Sequence, residues 1–315
     1  MQIKNVVLIL FFSLSLTGLI AQQDKLITNF MYDKMSINPG KTGIDMDNSI
    51  CATSIYRNQW DKVNGAPNSA VLNIEGNFSR LFKGGLGLAF YHDAIGFSRQ
   101  NNLLLNYSYP IQIGNVGVLG LGLGIGIINY GIEPNWVPPT STIDPSLPLG
   151  FAATNLDANF GAYFQGKDFY AGLSSTHLSE SLLEKSVAGL DQNYQTARHY
   201  YLMGGKTFDD VLNGKIDAQV LMRTDLVKLS FDLNARYFYT LNDQVLYGGL
   251  SYRNSDAIAV LFGYSPIERF TVGYSYDITI NKLSSVSRGS HEILFKYCFN
   301  LPEPKMTYSR NPRWL

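Results

Sequence analysis

The sequence predicts an all-β fold: a closed antiparallel transmembrane β-barrel of about 14 strands with up-and-down topology. Three observations carry this prediction. Many short segments alternate between apolar and polar residues, the composition is poor in charge and rich in aromatic residues, and the gaps between segments alternate between long and short. Charged residues make up 16% of the chain and aromatic residues 13%. Soluble domains carry about 25% charged residues, whereas membrane barrels place aromatic girdles at both interfaces.

Alternation is clearest between Leu119 and Ile127, where large aliphatic residues occupy every odd position and glycine every even position. Successive side chains of a strand point to opposite faces, so this segment has one aliphatic face and one bare face. The aliphatic face requires an apolar medium. Glycine weakens a strand and offers no side chain for packing, so four glycines on one face need a reason. One reason is that this face lines a lumen into which another segment of the chain fits. A hairpin strand of a soluble sandwich is the alternative at this point.

The chain begins with a predicted secretory signal peptide, residues 1–21. Lys4 supplies the positive start, and an apolar core and an end with smaller side chains follow it. The mature protein is therefore expected to leave the cytoplasm. Residues 22–48 have an irregular pattern with a turn at 38–40. We expect this N-terminal segment either to lie in the periplasm or to fold back and fill the lumen.

The barrel is predicted to occupy residues 49–300. No amphipathic helical period separates its strand-like segments, and consecutive strands without crossover helices must be antiparallel. The segments lie near 49–58, 69–79, 84–94, 99–109, 116–129, 155–165, 168–176, 197–206, 214–224, 228–240, 245–253, 257–264, 269–278 and 290–300.

The gaps between these segments decide between a membrane barrel and a soluble β-sandwich, which would also alternate. Outer-membrane barrels have short periplasmic turns and longer outer loops, and the gaps follow that asymmetry. The long gaps are 59–68, 130–154, 177–196 and 279–289, and the tight ones include 80–83, 166–167, 241–244 and 265–268. We therefore expect an outer-membrane barrel with both termini in the periplasm, the C-terminal one as a tail at 301–315.

Composition and motifs favour neither an enzyme nor a nucleic-acid partner. The chain has 25 basic and 25 acidic residues, so no net charge attracts nucleic acid. Four scattered His residues form no metal-ligand cluster. Neighbours on a strand point to opposite faces, so Ser290, His291 and Glu292 cannot converge as a hydrolase triad. We expect no catalytic residue, no cofactor and no metal.

Several separate segments resemble the PorP/SprF family, and together they span nearly the whole mature chain. They are Tyr56-Arg57-Asn58-Gln59-Trp60, Gly65-Ala66-Pro67, Gly85-Leu86-Gly87-Leu88 with His92-Asp93, Gly172-Leu173-Ser174, residues 199–205, Gly273-Tyr274-Ser275-Tyr276-Asp277 and the tail 311–315. The family usually has Asn-Pro-Ala-Tyr-Ala-Gly near its start, and residues 38–43 depart from that motif.

The resemblance implies an outer-membrane barrel without catalysis, acting in the type IX secretion system and gliding machinery of Bacteroidota. Its implied partners are periplasmic ring and motor proteins, or a secreted surface adhesin that it helps to anchor. The alternative function is a passive porin or small-solute channel, because the mixed-sign inner face would suit a channel as well as a filled lumen.

Candidate partner-binding residues lie at the end of the first strand, in two loops and in the C-terminal tail. Trp60 belongs to the richest exposed motif, with Asp61, Asn64 and Gly65-Ala66-Pro67, and Tyr56 and Arg57 precede it on the strand. Trp136 lies in the proline-rich fifth gap. The alternative is that these aromatic residues pack at the membrane interface or cap the barrel. Proline prevents further strand in the tail, whose side chains are of types enriched at binding hot spots, with a disordered end as the alternative. The tail candidates are Tyr308, Arg310, Arg313 and Trp314.

The two cysteines, Cys51 and Cys298, lie in the first and last predicted strands. A closed barrel with an even strand number pairs these strands antiparallel and places both residues at similar depth. An oxidising periplasm permits a disulfide across the seam. Two unrelated free thiols are the alternative.

Overall fold

The computed structural model describes residues 25–46, 48–79, 81–133, 150–187 and 190–301, and it confirms the predicted fold. The described residues form sixteen strands, of which fourteen close into an antiparallel barrel in chain order, with β1 paired to β16. The strands are β1 (Ser49–Asn58), β2 (Asn68–Asn77), β3 (Gly85–Ile95), β4 (Ser98–Ile113), β5 (Gly117–Ile132), β6 (Phe151–Gly166), β7 (Phe169–Thr176), β8 (Leu182–Val187), β9 (Leu190–Gln195), β10 (His199–Val211), β11 (Gly214–Thr224), β12 (Leu229–Leu241), β13 (Gln244–Arg253), β14 (Ala257–Ile267), β15 (Phe270–Thr279) and β16 (Ser290–Asn300).

The aliphatic face of the strands points away from the barrel axis. Leu121, Leu123, Ile125 and Ile127 are all exposed, whereas the glycines between them point inward. This arrangement is inverted relative to a soluble sandwich, in which the apolar face packs inside. Among the described residues, no helix is long and apolar enough to cross a membrane. The exposed aliphatic band is the surface that a bilayer covers.

Strands β8 and β9 form a separate two-stranded hairpin inside the long gap between β7 and β10, so β7 pairs directly with β10 in the barrel. The sequence predicted only a loop over 177–196. The hairpin packs on β6, where the Asn155 side-chain amide donates to the Leu182 carbonyl oxygen at 2.7 Å and the Ser181 hydroxyl donates to the Leu156 carbonyl oxygen at 2.6 Å. Such tertiary contacts stabilise a hairpin that its own weak alternation does not specify.

The barrel has two different ends. We call the end with the connections 78–84, 114–116, 167–168, 212–213, 242–243 and 268–269 the short-turn end, and the opposite end the long-loop end. The barrel begins and finishes at the short-turn end, where the Leu301 backbone N–H donates to the Asn48 carbonyl oxygen at 2.8 Å.

Residues 25–46, the lumen segment, lie inside the barrel. The segment has a 3₁₀ turn at Phe30–Tyr32, a short helix α1 at Lys34–Ile37 and a second 3₁₀ turn at Pro39–Lys41. Buried apolar side chains of the segment join three clusters with inward-facing residues of the barrel. The largest contains Phe30, Met31 and Ile37 with Tyr163, Tyr170, Tyr201, Met203, Leu221, Tyr247, Ala259 and Leu261. Ile27 packs with Ile55, Val71, Tyr91 and Leu294, and Met35 packs with Ala89 and Leu104. A barrel of this strand number is too wide for its own side chains to fill, and the segment occupies the space.

The lumen segment crosses the barrel from one end to the other. At the long-loop end, the Arg223 guanidinium donates to the Lys25 carbonyl oxygen at 3.2 Å. At the short-turn end, the Asn77 side-chain amide donates to the Met46 carbonyl oxygen at 3.0 Å. Lys25, the first described residue, therefore lies at the opposite end from the start of β1.

Candidate functional site

One side of the lumen is a glycine wall, formed by Gly87, Gly120, Gly122 and Gly161 on β3, β5 and β6. The second 3₁₀ turn lies directly on it. A Cβ atom added to Gly40 would come within 2.7 Å of the Gly120 carbonyl oxygen and 2.8 Å of the Gly161 carbonyl oxygen, and a Cβ atom on Gly122 would meet the Pro39 backbone. The two backbones approach so closely only because neither carries a side chain here.

Hydrogen bonds fix the turn on the glycine wall. The Asn38 side-chain amide donates to the carbonyl oxygens of Ala162 at 3.0 Å and Leu173 at 3.2 Å, and its oxygen accepts from the Gly40 backbone N–H at 2.9 Å. The Ser108 hydroxyl donates to the Gly40 carbonyl oxygen at 2.7 Å. The turn predicted at 38–40 therefore has its backbone groups satisfied, the Gly40 carbonyl by the barrel and the others within the segment.

The other side of the lumen carries a charged wall near the long-loop end. Its members are Arg57, Arg223, Asp232, Arg253, Asp277 and Glu292, and each is at least nine-tenths buried. The Arg57 guanidinium pairs with Asp277 at 2.7 Å and with Glu292 at 3.1 Å. The Arg253 guanidinium pairs with Asp232 at 2.7 Å, and Arg223 also pairs with Asp232. Buried charges persist only when they are paired and hydrogen-bonded in this way.

The start of the lumen segment completes the charged wall. Glu292 accepts from the backbone N–H groups of Thr28 at 2.8 Å and Asn29 at 2.7 Å, and from the Asn29 side-chain amide at 2.8 Å. The Thr28 hydroxyl donates to Asp277 at 2.8 Å and accepts from the Arg57 guanidinium at 2.9 Å. Without the segment, Glu292 would lose three of its four donors and keep only the Arg57 guanidinium. Asp277 would keep only the guanidinium groups of Arg57 and Arg253.

Ionic contacts hold the segment elsewhere along its length. Asp33 pairs with the Lys25 ammonium group at 2.8 Å and accepts from the Asn73 side-chain amide on β2 at 2.7 Å. Lys41 pairs with Glu75 at 2.6 Å and with Asp45 at 2.9 Å. Burial lowers the pKa of Lys41, but the attraction of Asp45 and Glu75 outweighs it, so the net shift is upward.

Lys34 differs because it has lost much of its hydration without gaining a close carboxylate. Burial lowers its pKa from 10.5 to about 8, against a smaller attraction from Asp45. Its ammonium group lies 3.6 Å from the centroid of the Tyr170 ring, a cation–π contact.

The lumen segment leaves little free space beside it in the part of the barrel that the structure describes. One cavity of about 10 Å³ adjoins Phe30 and Leu221, and another of about 20 Å³ adjoins Ser36 and Asn102. Spaces of this size hold about one water molecule each.

Larger cavities lie at the long-loop end. The mouth cavity, of about 310 Å³, is lined by Leu26, Trp60, Arg223, Lys228, Asp256 and Leu283 among others. The loop cavity, of about 410 Å³, is lined by Trp60, Asp61, Lys62, Asn64 and Arg99 among others. Trp60 lines both cavities.

The structure separates the predicted partner-binding residues. Tyr56 points outward with 52% of its surface exposed, whereas Arg57 is 1% exposed within the charged wall. Trp60 lies between the two cavities in a left-handed backbone conformation, with φ of 50°. Trp136 lies outside the described residues, as do the four tail candidates Tyr308, Arg310, Arg313 and Trp314.

Cys51 and Cys298 are directly opposite each other in the register of β1 and β16, with their Cα atoms 4.0 Å apart and their sulfur atoms joined in a disulfide. Among the described residues, no three His, Cys, Asp or Glu side chains are grouped as metal ligands. Sequence reasoning missed the role of Glu292 and Asp277 as acceptors for the lumen segment. The sequence contained one signal for this role: charged residues predicted to face inward lie near the long-loop ends of neighbouring strands.

Comparison with known proteins places this architecture among membrane barrels. The model of the family described as type IX secretion system membrane protein PorP/SprF matches residues 19–297. The comparison with curated proteins gives no match.

Similar solved structures include the Ralstonia pickettii toluene transporter TbuX, with a TM-score of 0.53 and 12% identity over 85% of this chain and 93% of that one. The CymD monoaromatic hydrocarbon channel has a TM-score of 0.52 and 12% identity over 86% of this chain and 93% of that one. Similarity at 12% identity shows that the fold is shared and says nothing about function.

Proposed function

The chain belongs to the PorP/SprF family of type IX secretion system membrane proteins, and we propose that it acts there as a closed scaffold that binds protein partners. The partners on the periplasmic side would be ring or motor proteins of the machinery, and the partner on the outer side a secreted surface adhesin. In this function the barrel performs no catalysis and passes no solute.

The observation that carries the proposal is the filled lumen. The lumen segment is bound at the charged wall, at Asn73 and Glu75 on β2, and on the glycine wall, so it is anchored at both ends and in the middle. Opening a pore would expose several buried charges whose partners lie on the segment. A passive porin, the alternative function, requires a continuous water path that this packing opposes.

The proposed orientation places the long-loop end outside the cell and the short-turn end in the periplasm. With this orientation β16 ends on the periplasmic side, whereas Lys25 lies toward the outside, which departs from the expectation of two periplasmic termini. Longer outer loops and short periplasmic turns are the rule in outer-membrane barrels. The tail beyond Leu301 would then leave the barrel on the periplasmic side, where Tyr308, Arg310, Arg313 and Trp314 are proposed to meet a partner. Truncation after Asn300 is expected to leave the barrel inserted and to abolish its function.

Deletion of the gene separates the two functions. We expect loss of the proteins that the type IX system exports to the medium and cell surface, with unchanged uptake of small solutes, and recovery on complementation with the complete chain. Normal export combined with reduced solute uptake would identify a porin instead. In planar bilayers, the purified protein is expected to show no steady conductance.

A further inference from the structure

The mouth cavity is closed on its inner side. Leu26 of the lumen segment forms part of its lining, and the residues that follow, Thr28 and Asn29, are bound to Glu292 and Asp277 beneath it. Whatever enters from the long-loop end therefore stops at this layer. The geometry suits a chain segment that docks and stays, and it does not suit a solute in transit.

The wall of the cavity that contains Trp60 is held rigidly. The Asp61 backbone N–H donates to the Gly289 carbonyl oxygen at 2.7 Å, and the Arg288 backbone N–H donates to the Asp61 carbonyl oxygen at 2.9 Å. The Trp60 backbone N–H also donates to the Ser290 hydroxyl at 3.1 Å. These bonds join the loop after β1 to the loop before β16 and maintain a left-handed backbone at Trp60, a conformation that is uncommon outside glycine. A strained backbone conformation that the surrounding structure holds in place is typical of functional sites.

Exposed apolar side chains stand beside the mouth cavity. Leu226 and Val227 are 77% and 68% exposed in the turn between β11 and β12. Asp225, which lines the cavity, fixes this turn by accepting from the backbone N–H groups of Val227 at 3.0 Å and Lys228 at 2.7 Å. Leu226 and Val227 thus form an exposed apolar patch flanked by charged residues beside a cavity. Such a patch is typical of a protein-binding surface.

Cations outnumber carboxylates in each cavity: Arg223, Lys228 and Arg253 against Asp225 and Asp256 in the mouth cavity, and Lys62 and Arg99 against Asp61 in the loop cavity. Asp225 is occupied by backbone donors, and Asp256 accepts from the Arg253 guanidinium at 3.2 Å and the Asn281 side-chain amide at 3.0 Å. Within the described ranges, the ammonium groups of Lys62 and Lys228 have no ion-pair partner. An occupant that brings carboxylates would satisfy them.

We propose that the two cavities on either side of Trp60 bind an extended acidic segment of a secreted protein. An apolar side chain of that segment packs in the mouth cavity against Leu26 and Leu283, while its carboxylates pair with Lys228 and Lys62. Trp60 separates the two subsites as a rigid aromatic anchor, the residue type most enriched at binding hot spots. This inference rests on the proposed function, because it places the outer partner at this end.

The test is photo-crosslinking in living cells that express the complete chain. A benzophenone amino acid replaces Ser255 at the mouth cavity or, in a second strain, Asn64 at the loop cavity, and crosslinked peptides are identified by mass spectrometry. We expect both positions to capture the same secreted protein through one acidic segment. The matched position Asn213, at the short-turn end, is expected not to capture it.

Charge reversal then tests the contacts. The double variant Lys62→Glu/Lys228→Glu is expected to reduce the adduct at least tenfold, and Trp60→Ala to reduce it similarly, with unchanged amounts of folded barrel. Lys215→Glu, an exposed lysine near the short-turn end, is the matched control and is expected to keep the adduct.

The outcomes distinguish this inference from the function on which it rests. Adducts only with lipopolysaccharide, or only with residues 22–24 of this chain, would overturn the inference, as would an adduct that charge reversal leaves intact. In these cases loss of export in the deletion strain would still support the proposed function. Normal export in that strain would end both.

Discussion

The glycine wall and the charged wall hold the same lumen segment by different physical means. At the glycine wall, two backbones touch, and the contact depends on shape together with neutral hydrogen bonds from Asn38 and Ser108. At the charged wall, Glu292 and Asp277 bind the backbone and hydroxyl groups of Thr28 and Asn29, so the contact depends on compensated charge. The first contact fails when an atom is added, and the second when a charge is removed.

This difference explains why the lumen segment has one defined position inside the barrel. Shape alone would allow the segment to slide along a smooth wall, because dispersion contacts are individually small and have little direction. Buried ion pairs alone are weak evidence for stability, because their desolvation offsets most of their attraction. Together, shape and hydrogen bonds fix the turn at 38–40 on the glycine wall, and the charged wall fixes the start of the segment at Thr28 and Asn29.

The largest effect is expected from Gly122→Val. Its Cβ atom would meet the Pro39 backbone, which cannot move aside as a flexible side chain can. We expect the segment to leave the wall, with stepwise conductance in planar bilayers and protease cleavage within 25–46. Gly248→Val is the control, since a Cβ atom on Gly248 meets nothing within 4 Å. A silent, protease-resistant Gly122→Val barrel would show that shape does not hold the segment.

Glu292→Gln breaks the charged wall with almost no change of shape. It leaves the Arg57 guanidinium with one carboxylate, Asp277, and weakens the bonds to Thr28 and Asn29. Removal of one partner from a buried ion pair costs about 3–5 kcal/mol. We expect a lower unfolding temperature in detergent. Glu184→Gln, on the exposed hairpin, is the control, and equal unfolding temperatures for both variants would contradict the role of the charged wall.

The fold was predictable because its signals are local. The strict alternation at 119–127 and the gap lengths each depend on neighbouring residues, and they predicted a closed barrel of 14 strands, which the structure confirms. The hairpin β8–β9 was missed because contacts with β6, rather than its own alternation, support it.

The site was predictable only in part, for the same reason. The bare glycine face indicated space in the lumen, since it is a pattern within one strand. The charged wall joins residues far apart in the chain, with Thr28 and Glu292 separated by 264 positions. No local pattern pairs such residues, and the sequence showed only that charges of both signs point inward.

A smaller effect is expected when the disulfide between Cys51 and Cys298 is removed by Cys51→Ser/Cys298→Ser. A disulfide that closes a long loop contributes about 2–4 kcal/mol. This disulfide joins β1 and β16 near the short-turn end, where Cys51 also lies opposite Glu75 on β2. Glu75 holds Lys41 and the Gly43 backbone N–H, so loss of the disulfide should loosen this contact before the charged wall at the other end. We expect faster hydrogen exchange at Gly43 and little change at Thr28 and Asn29.

Hydrogen exchange that rises equally at Gly43 and at Thr28 and Asn29 would mean that the disulfide supports the whole barrel rather than the contact beside it. Intact-mass measurement of the non-reduced mature protein is the control, and two free thiols there would remove the basis of this prediction.

The smallest expected effect concerns Lys34, a cation of the lumen segment that packs on Tyr170. Burial lowers its pKa to about 8, so between pH 8 and 10.5 the unfolded chain binds more protons than the folded one and stability rises with pH. Below pH 8 the buried charge opposes folding, partly offset by the cation–π contact. We therefore expect Lys34→Met to be more stable than the natural chain at pH 7.

The stability difference between the two chains should shrink between pH 8 and 10.5, because the natural lysine becomes neutral there. Subtracting the two pH profiles cancels the titration of the other lysines and tyrosines. Lys206→Met is the control, since this lysine is 53% exposed and pairs only with the half-exposed Asp168 at 3.6 Å. A Lys34→Met variant that is less stable at pH 7 would mean that attraction to Tyr170 and Asp45 exceeds the cost of burial, so the lysine would count as a third anchor beside the two walls.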